Sequence, residues 1–596
     1  MINITINGIQ GQVPDGSTIM DAATQFGIKI PSLCKYKKYH AVGACRICVV
    51  EVVGAKNLQA SCVVKATEGM VVKTNTERVR NARKMIYDLM LSDHPKECTS
   101  CTRNQTCELQ QLGYDLGFSE IKIKGEMKEQ RCDVSPAITR DTSKCILCRR
   151  CVTTCRDIQK VGAISVQNRG FNSVVSPAML LPLNNTNCVM CGQCTKVCPT
   201  GALTETYHTA RVWKALEDPE TRVVVQTAPA VRAALGEPFG IPTGTPVTGK
   251  MVTALRAMGF DDVFDTNWGA DLTIMEEGTE LLQRILNKAN GGDAVLPMIT
   301  SCSPGWIKHC EHAWPAEIGN LSTCKSPHMM QGAMIKTYYA EKLGIDPKNI
   351  YVVSVMPCTA KKYEIQRPEM SNNGVPNVDA VLTTRELERM IKTSGINFPE
   401  IPDSDFDAPM GLSSGAADIF GFTGGVMEAA LRTVYFLVTG RPLPFEDLHI
   451  KPIESFEQIK EAAITFENVL PDYAVLEGQT VRIAVTSGLE GADILLRQIH
   501  EGTSPYSFIE VMGCPGGCIA GGGQPRTTQE SDEFRQLRRS ALLSEDERKE
   551  IRMSHENPMI QQLYAEYLGV PGSEKAHHLL HTEYTARGNF NELLEP

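Results

Sequence analysis

Sixteen of the 22 cysteines lie before residue 200, and their spacing is that of metal ligands. Two full runs stand out: Cys145-Ile-Leu-Cys148-Arg-Arg-Cys151 leading to Cys155, and Cys188-Val-Met-Cys191-Gly-Gln-Cys194 leading to Cys198-Pro199. A run of this form holds 4Fe–4S clusters, and its fourth cysteine ligates the neighbouring cluster. One set is therefore Cys145, Cys148, Cys151 and Cys198. The other is Cys188, Cys191, Cys194 and Cys155. Cys155 lacks a following proline, which leaves its ligating ability intact. Zinc also takes C-x-x-C pairs and is the rival for any single group; two complete runs set it aside. Disulfides are disfavoured in a reducing compartment and do not explain such clustering. Two such clusters form a wire for electrons and say nothing of a substrate.

Two further groups precede them. Cys34, Cys45, Cys48 and Cys62 supply four thiolates in a small β domain, which fits a 2Fe–2S centre. The spacing is not that of a plant ferredoxin; it resembles the amino-terminal domain of the large iron–sulfur subunit of respiratory complex I. His94, Cys98, Cys101 and Cys107 then offer one imidazole and three thiolates. Alone, that set reads equally well as zinc. Its company and the same resemblance point to a 4Fe–4S cluster, whose neutral histidine should raise its potential. Cys132, Cys310 and Cys324 fit no group and read as small buried or half-buried residues.

These ligands need elements to position them. Ile2, Ile4 and Ile6 alternate before Asn7-Gly8, so a β-hairpin opens the chain. Thr18-x-x-Asp21 marks a helix start, and a charged helix is expected from about Thr76 to Ser92. Past residue 205 cysteines thin out and βα patterning takes over. Strand-like runs are Arg222–Gln226, Ala294–Thr300, Ile350–Met356, Val481–Thr486 and Ser507–Met512, with helices at Leu272–Asn287 and Ser326–Leu343, so mainly parallel strands are expected. Three runs deliver a cysteine just past the strand: Cys302, Cys358 and Cys514. Open α/β sheets bind ligands beyond the carboxyl ends of their strands, so three distant thiols can converge on one site.

The chain has 596 residues, too many for one core. Its net charge of −9 argues against nucleic acid as a partner. No apolar run is long enough to span a bilayer, and the start lacks a leader pattern, so a cytoplasmic location is expected.

Three long motifs resemble those of the FeFe-hydrogenases: Thr300-Ser-Cys-Ser-Pro-Gly-Trp306, Met356-Pro-Cys-Thr-Ala-Lys-Lys-Tyr-Glu364, and Phe508 to Pro525 with its Gly-Cys-Pro-Gly-Gly-Cys core. Thr227–Arg232 and Gly421–Glu428 support the match. The resemblance covers essentially the whole chain and implies a multidomain α/β protein. Residues 1–78 would form a β-grasp 2Fe–2S ferredoxin-like domain, and 79–125 a domain with the histidine-plus-three-cysteine 4Fe–4S cluster. Residues 126–209 would form a two-cluster ferredoxin-like domain, and 210–596 the large α/β catalytic domain. It implies one 2Fe–2S cluster, three accessory 4Fe–4S clusters and an H-cluster. The H-cluster is a 4Fe–4S cube bridged by cysteine sulfur to a two-iron unit with CO, cyanide and a dithiolate. By the same resemblance Cys358, Cys514 and Cys518 are cube ligands, with Cys518 bridging. Lys361 would contact a cyanide; Met356, Met512, Pro229 and Ala230 would line the two-iron unit. As bare residues the lysine would face solvent and the others would be core.

One departure matters. The family's first motif carries two adjacent cysteines, the first a proton donor and the second a cube ligand. Here the pair is Cys302-Ser303. Either Ser303 or another oxygen completes the cube, or Cys302 shifts inward to ligate and the proton relay changes; a hydroxyl is a far poorer ligand than a thiolate. The family's relay maps onto Arg284, Glu280, Ser322, Glu277 and Cys302. The three helical members share one face by their spacing, as a charged solvated face also would. The activity implied is reversible reduction of protons to H₂. Electrons would come from ferredoxin, or from partner subunits that bind flavin and NAD(P), since no G-x-G-x-x-G follows a strand here. Maturation proteins are implied as further partners. A non-catalytic electron-transfer subunit explains residues 1–205 equally but leaves Cys358, Cys514 and Cys518 without purpose. A sensory or iron–sulfur assembly relative is the third reading, favoured by Ser303 and opposed by Cys302, Glu277 and Glu280.

Overall fold

The computed structural model describes residues 1–36, 42–127, 131–444, 451–453, 456–526 and 531–588. It divides into two compact units. The first comprises Met1–Asp157, Gly162–Thr186 and Gln193–Thr204; the second comprises Ile158–Val161, Asn187–Gly192 and Glu205–Pro596.

In the first unit, strands Ile2–Ile6 and Ile9–Val13 pair antiparallel around Asn7-Gly8. Both turn residues have positive φ, 50° and 86°, as a two-residue hairpin turn requires. Ile2–Ile6 also pairs parallel with Met70–Lys73 in a five-stranded sheet completed by Val49–Val52 and Gln59–Ala60. The helix Ile19–Gln25 starts at a capping box: Thr18 Oγ1 accepts from the Asp21 amide, and the Asp21 carboxylate accepts from the Thr18 amide. Its face of Ile19, Met20, Ala22 and Ala23 packs on Ile4, Ile6, Val50 and Val72 of the sheet. The charged helix spans Glu77–Ser92, capped by Thr76. Arg150, 1% exposed, ties separate cysteine loops together. It donates to Glu108, next to Cys107, at 2.8 Å and to the Lys35 carbonyl, next to Cys34, at 3.3 Å.

The second unit is built on two sheets. One is all parallel, in the order Asp262–Asp265, Arg222–Thr227, Ile350–Met356, Ala380–Thr383. Its central strands read Val-Val-Val and Val-Val-x-Val and are fully buried, as a sheet covered on both faces demands. The other runs Met298–Ile299, Phe508–Met512, Thr480–Ser487, Phe456–Thr465, Lys451–Ile453. Its first three strands are parallel and its last two antiparallel. That closing hairpin departs from the parallel expectation. The sequence of Phe456–Thr465, FEQIKEAAIT, has helix-forming residues; pairing with a buried neighbour overrides the local preference. The run Ala294–Thr300 contributes only Met298–Ile299. The expected helix at Leu272–Asn287 extends to Thr266–Ala289, with Asp265 accepting from the Asn267 amide at its start. Asp265 also joins Asp418 around the buried Arg232 guanidinium. Among the described residues no helix is long and apolar enough to cross a membrane.

Thr18→Ala removes the first-turn cap and is expected to cost about 1 kcal/mol of stability in the amino-terminal domain. Thr18→Ser should recover most of it, as read by thermal loss of visible absorbance.

Candidate active site

Cys358 lies two residues past Ile350–Met356, Cys514 two past Phe508–Met512, and Cys302 three past Met298–Ile299. Pairing of Met298–Ile299 with Phe508 and Ile509 sets the second and third loops side by side. The Gly523 amide donates to the Pro357 carbonyl at 2.8 Å, folding the Cys518 segment onto the Cys358 turn, and the Gly517 amide closes on the Cys514 carbonyl at 2.9 Å. A side chain at Gly521 would collide with the Pro357 carbonyl and one at Gly523 would crowd the same backbone, so glycine at 521 is a condition of this approach. The three thiols come near enough for their charges to interact. Burial first, then the charges of Cys514 and Cys518, push Cys358 up to about 12. Burial and Cys514 push Cys518 up to about 11. Thiols this crowded, buried and costly to ionise unaided fit a site that accepts an iron–sulfur cube.

Lys361 is not a solvent lysine. Its ammonium donates to the Cys302 carbonyl at 3.0 Å and pairs with Glu364 at 2.8 Å. Glu364 also accepts from His328 at 2.7 Å, and His328 reaches Ser354 at 3.1 Å through its other nitrogen. Burial opposes ionisation of Glu364, but Lys361 and His328 outweigh it and hold the carboxyl down at about 2. Burial, reinforced by Lys361, holds His328 at about 4, so it is neutral near pH 7. Neither His328 nor the bracing role of Glu364 was found in the sequence, because their partners are distant in the chain. Pro229 and Ala230 open the buried helix Pro229–Arg232. Ala230 shares an apolar patch with Phe422 and Ile519 against which Cys518 packs. Met512 belongs to the core that Cys302 and Cys518 border, whereas Met356 belongs to the core of the parallel sheet.

The long helix Thr266–Ala289 presents the titratable chain. Arg284 Nη2 donates to Glu280 Oε1 at 2.6 Å, and Ser322 Oγ donates to Glu280 Oε2 at 3.1 Å. Ser322 also hydrogen-bonds Glu277, so its hydroxyl lies between two carboxyl groups. Burial pushes Glu277 up to about 8; the Ser322 hydrogen bond opposes and the Glu280 charge adds. Its Oε2 is buried with no partner. Burial, then the charge of Glu277, raises the Cys302 thiol well above its ordinary value. Ser303 faces elsewhere: its Oγ accepts from the Gly513 amide at 3.1 Å, beside Cys514. The two residues of the Cys302-Ser303 pair thus serve different neighbours.

In the first unit, Cys34 is hydrogen-bonded with both Cys45 and Cys62, and the sulfurs of Cys48 and Cys62 are 3.4 Å apart, all four buried. His94, Cys98, Cys101 and Cys107 line one cavity of about 350 Å³. Cys145, Cys148, Cys151 and Cys198 line another. Of the last set, Cys155 and Cys194 fall in the first unit, and Cys188 and Cys191 in the second. Within the second unit, Lys308 donates to the Cys188 carbonyl at 2.8 Å and Thr359, next to Cys358, donates to the Met190 carbonyl at 2.7 Å. Cys132 is a correction: it is exposed, at the start of a short strand, Cys132–Val134, whose alternation turns it outward. Cys310 and Cys324 are buried as expected.

Fold and site together define a multi-cluster iron–sulfur oxidoreductase. The chain belongs to the FeFe-hydrogenase family: residues 221–522 match the family model of the iron only hydrogenase large subunit, C-terminal domain, and 532–587 that of the iron hydrogenase small subunit. Residues 1–77 match a 2Fe–2S cluster binding domain, 83–122 the NADH-ubiquinone oxidoreductase-G iron–sulfur binding region, and 144–202 a 4Fe–4S dicluster domain. The NADP-reducing hydrogenase subunit HndD of Solidesulfovibrio fructosivorans is 50% identical over 98% of this chain and 99% of its own. Iron hydrogenase 1 of Clostridium pasteurianum is 40% identical over 98% and 100%. The apo FeFe-hydrogenase HydA1 of Chlamydomonas reinhardtii is 43% identical, with a TM-score of 0.59 over 64% of this chain and 100% of that one. The chain is a multidomain α/β protein with 2Fe–2S and 4Fe–4S ferredoxin-like domains ahead of a hydrogenase domain.

Glu364→Gln leaves the buried Lys361 without its counter-charge. It is expected to lower the unfolding free energy by about 3–5 kcal/mol. Adding Lys361→Met should restore part of the loss, measured as a double-mutant cycle in the thermal unfolding of the cluster-free chain.

Proposed function

We propose that this chain interconverts protons, electrons and H₂ at an H-cluster held by Cys358, Cys514 and Cys518. The observation that carries this reading is the meeting of those three thiols, from separate segments, beside a buried ammonium and the end of a carboxyl chain. When bound, the H-cluster supplies the metal centre at which two protons and two electrons combine. The protein holds it, keeps water out and moves the protons. Glu277, protonated at neutral pH, shares Ser322 with Glu280, while Arg284 donates a hydrogen bond to Glu280. Protons pass along Glu280, Ser322 and Glu277 to the Cys302 thiol, each group close to the next. Rotation of the Ser322 hydroxyl resets the chain after each transfer. Lys361, fixed by Glu364, would offer its ammonium to anionic ligands of a bound two-iron unit, which Pro229, Ala230, Met356 and Met512 would line. Ser303 would supply the fourth ligand of the cube, an assignment favoured by its hydrogen bond with Gly513 while Cys302 neighbours Glu277.

Electrons enter through a 2Fe–2S cluster on Cys34, Cys45, Cys48 and Cys62 and three 4Fe–4S clusters. The ligand sets are His94 with Cys98, Cys101 and Cys107; Cys145, Cys148, Cys151 and Cys198; and Cys155, Cys188, Cys191 and Cys194. The mixed sheet of the first domain supports its β-grasp reading, and the domain limits 1–78, 79–125, 126–209 and 210–596 run close to those of the matched family models. The physiological donor or acceptor is a flavin- and NAD(P)-binding partner subunit, with ferredoxin as a second carrier; the name of the HndD relative, an NADP-reducing hydrogenase subunit, supports the nicotinamide link. A nicotinamide-linked partner supports a cytoplasmic location. Maturation proteins build the two-iron unit.

Anaerobically matured protein is expected to show CO and cyanide infrared bands and to evolve H₂ from reduced viologen; absence of both sinks the reading. Evolution should fall as pH rises through about 8, where Glu277 loses its proton. Glu277→Gln should abolish that limb and cut turnover about 10²–10⁴-fold. Cys302→Ala should cut turnover without loss of iron, whereas Ser303→Ala should weaken retention of the cube. Loss of iron in Cys302→Ala would mean that Cys302 is itself a ligand.

A further inference from the structure

Cys324 was expected to be an ordinary small buried residue. Its thiol instead lies 3.9 Å from Glu280 Oε2 and 4.0 Å from His581 Nδ1. The three ligand atoms are all within 4.8 Å of one another. Backbone pairing sets this arrangement: Cys324 and His581 face each other across an antiparallel bridge, flanked by Lys325 N to Leu580 O at 2.8 Å and Thr582 N to Thr323 O at 2.7 Å. Cys324 is 0% exposed and His581 8%.

The imidazole is oriented for ligation. His581 Nε2 meets Glu276 Oε2 at 3.1 Å, and Glu276 is held in turn by the Gly572 amide at 2.9 Å and the Tyr564 hydroxyl. A carboxylate on Nε2–H leaves the Nδ1 lone pair toward Cys324 and Glu280, the outer-sphere arrangement of histidines that bind metal. Nδ1 now meets the Thr323 hydroxyl at 2.7 Å; that is the contact a cation displaces.

We propose that Glu280, Cys324 and His581 form a site for one zinc-like divalent cation, separate from every cluster ligand, whose occupancy closes the proton path at Glu280. One thiolate sulfur, one imidazole nitrogen and one carboxylate oxygen are a zinc donor set. Bonds of about 2.0–2.3 Å in a tetrahedral site put ligand atoms about 3.3–3.8 Å apart. The two sulfur distances therefore need to contract by only tenths of an ångström. The balance is simple: the cation binds, the Cys324 thiol gives up one proton to solvent, and no electron moves. Glu280 then coordinates the cation in place of its Ser322 hydrogen bond, and protons no longer cross between Arg284 and Glu277. The site itself stands on geometry; only the closing of the path rests on the proton relay proposed above.

The test uses cluster-loaded enzyme under anaerobic conditions with Co²⁺ and Zn²⁺ as probes. Cobalt-edge X-ray absorption, which the iron does not obscure, should show one cobalt per chain with a single sulfur and nitrogen or oxygen neighbours. Cys324→Ala should lose that sulfur, evolve H₂ at the basal rate and resist Zn²⁺ inhibition. Glu276→Gln should weaken Zn²⁺ about 10–100-fold through its hold on the imidazole. Cys324→Ser serves as a second variant should alanine impair folding. Equal cobalt–sulfur signal and equal Zn²⁺ sensitivity in wild type and Cys324→Ala overturns the site. A cobalt–sulfur signal lost in Cys324→Ala with turnover indifferent to Zn²⁺ keeps the site and overturns the relay through Glu280.

Discussion

Burying ionisable groups where strand ends meet is the constraint on which the catalytic domain depends. Three thiols, the Lys361 ammonium and the Glu277 carboxyl are all taken out of water in one region. Each would be costly there alone. The domain answers by pairing the ammonium with Glu364, leaving Glu277 protonated, and closing glycine turns so tightly that backbone lies against backbone. What remains is a pocket of thiols suited to a bulky inorganic group, with a buried, protonated carboxyl at one side.

The same constraint explains the shape of the surrounding polar framework. Glu364 stays ionised because Lys361 and His328 both reach it, and His328 stays neutral because it is buried beside an ammonium. Glu510, in the strand Phe508–Met512 itself, accepts from the Gly424 and Met427 amides and so holds the Gly421–Glu428 segment against the strand that delivers Cys514. Arg232 does the equivalent work between Asp265 and Asp418, beneath the helix that carries Glu277 and Glu280. The helix of Glu277 and Glu280 is thus anchored through a buried charge cluster at its start.

The cysteine loops are tied to one another by polar side chains and by close backbone packing. Arg150 links the loops of Cys34, Cys107 and Cys148 in the first unit. In the second, the segment with Cys188 and Cys191 is bonded to Thr359, one residue from Cys358. A side chain at Gly522 would overlap the Cys191 carbonyl, so the loop after Cys518 and the loop of Cys191 lie in direct contact. Short paths of this kind are what a chain of one-electron carriers needs to feed a buried site.

Ligand spacing, the hairpin at Asn7-Gly8, the capping box at Thr18 and the strands that present Cys358 and Cys514 were all legible in the sequence, because each depends on residues near one another along the chain. The antiparallel hairpin ending the second sheet was not: its residues favour helix, and only a neighbouring strand makes them extended. Nor was the split between Cys302 and Ser303, since two adjacent side chains diverge according to what packs on either side. His328, Glu276 and His581 lie tens to hundreds of residues from the groups they meet. The amino-acid order by itself determined which chemistry the chain carries; the tertiary structure alone decided which buried charges are paired, which thiols meet and which oxygen lies open. Hydrogen bonds and burial act over a few ångströms of space, and separation along the chain does not report that distance.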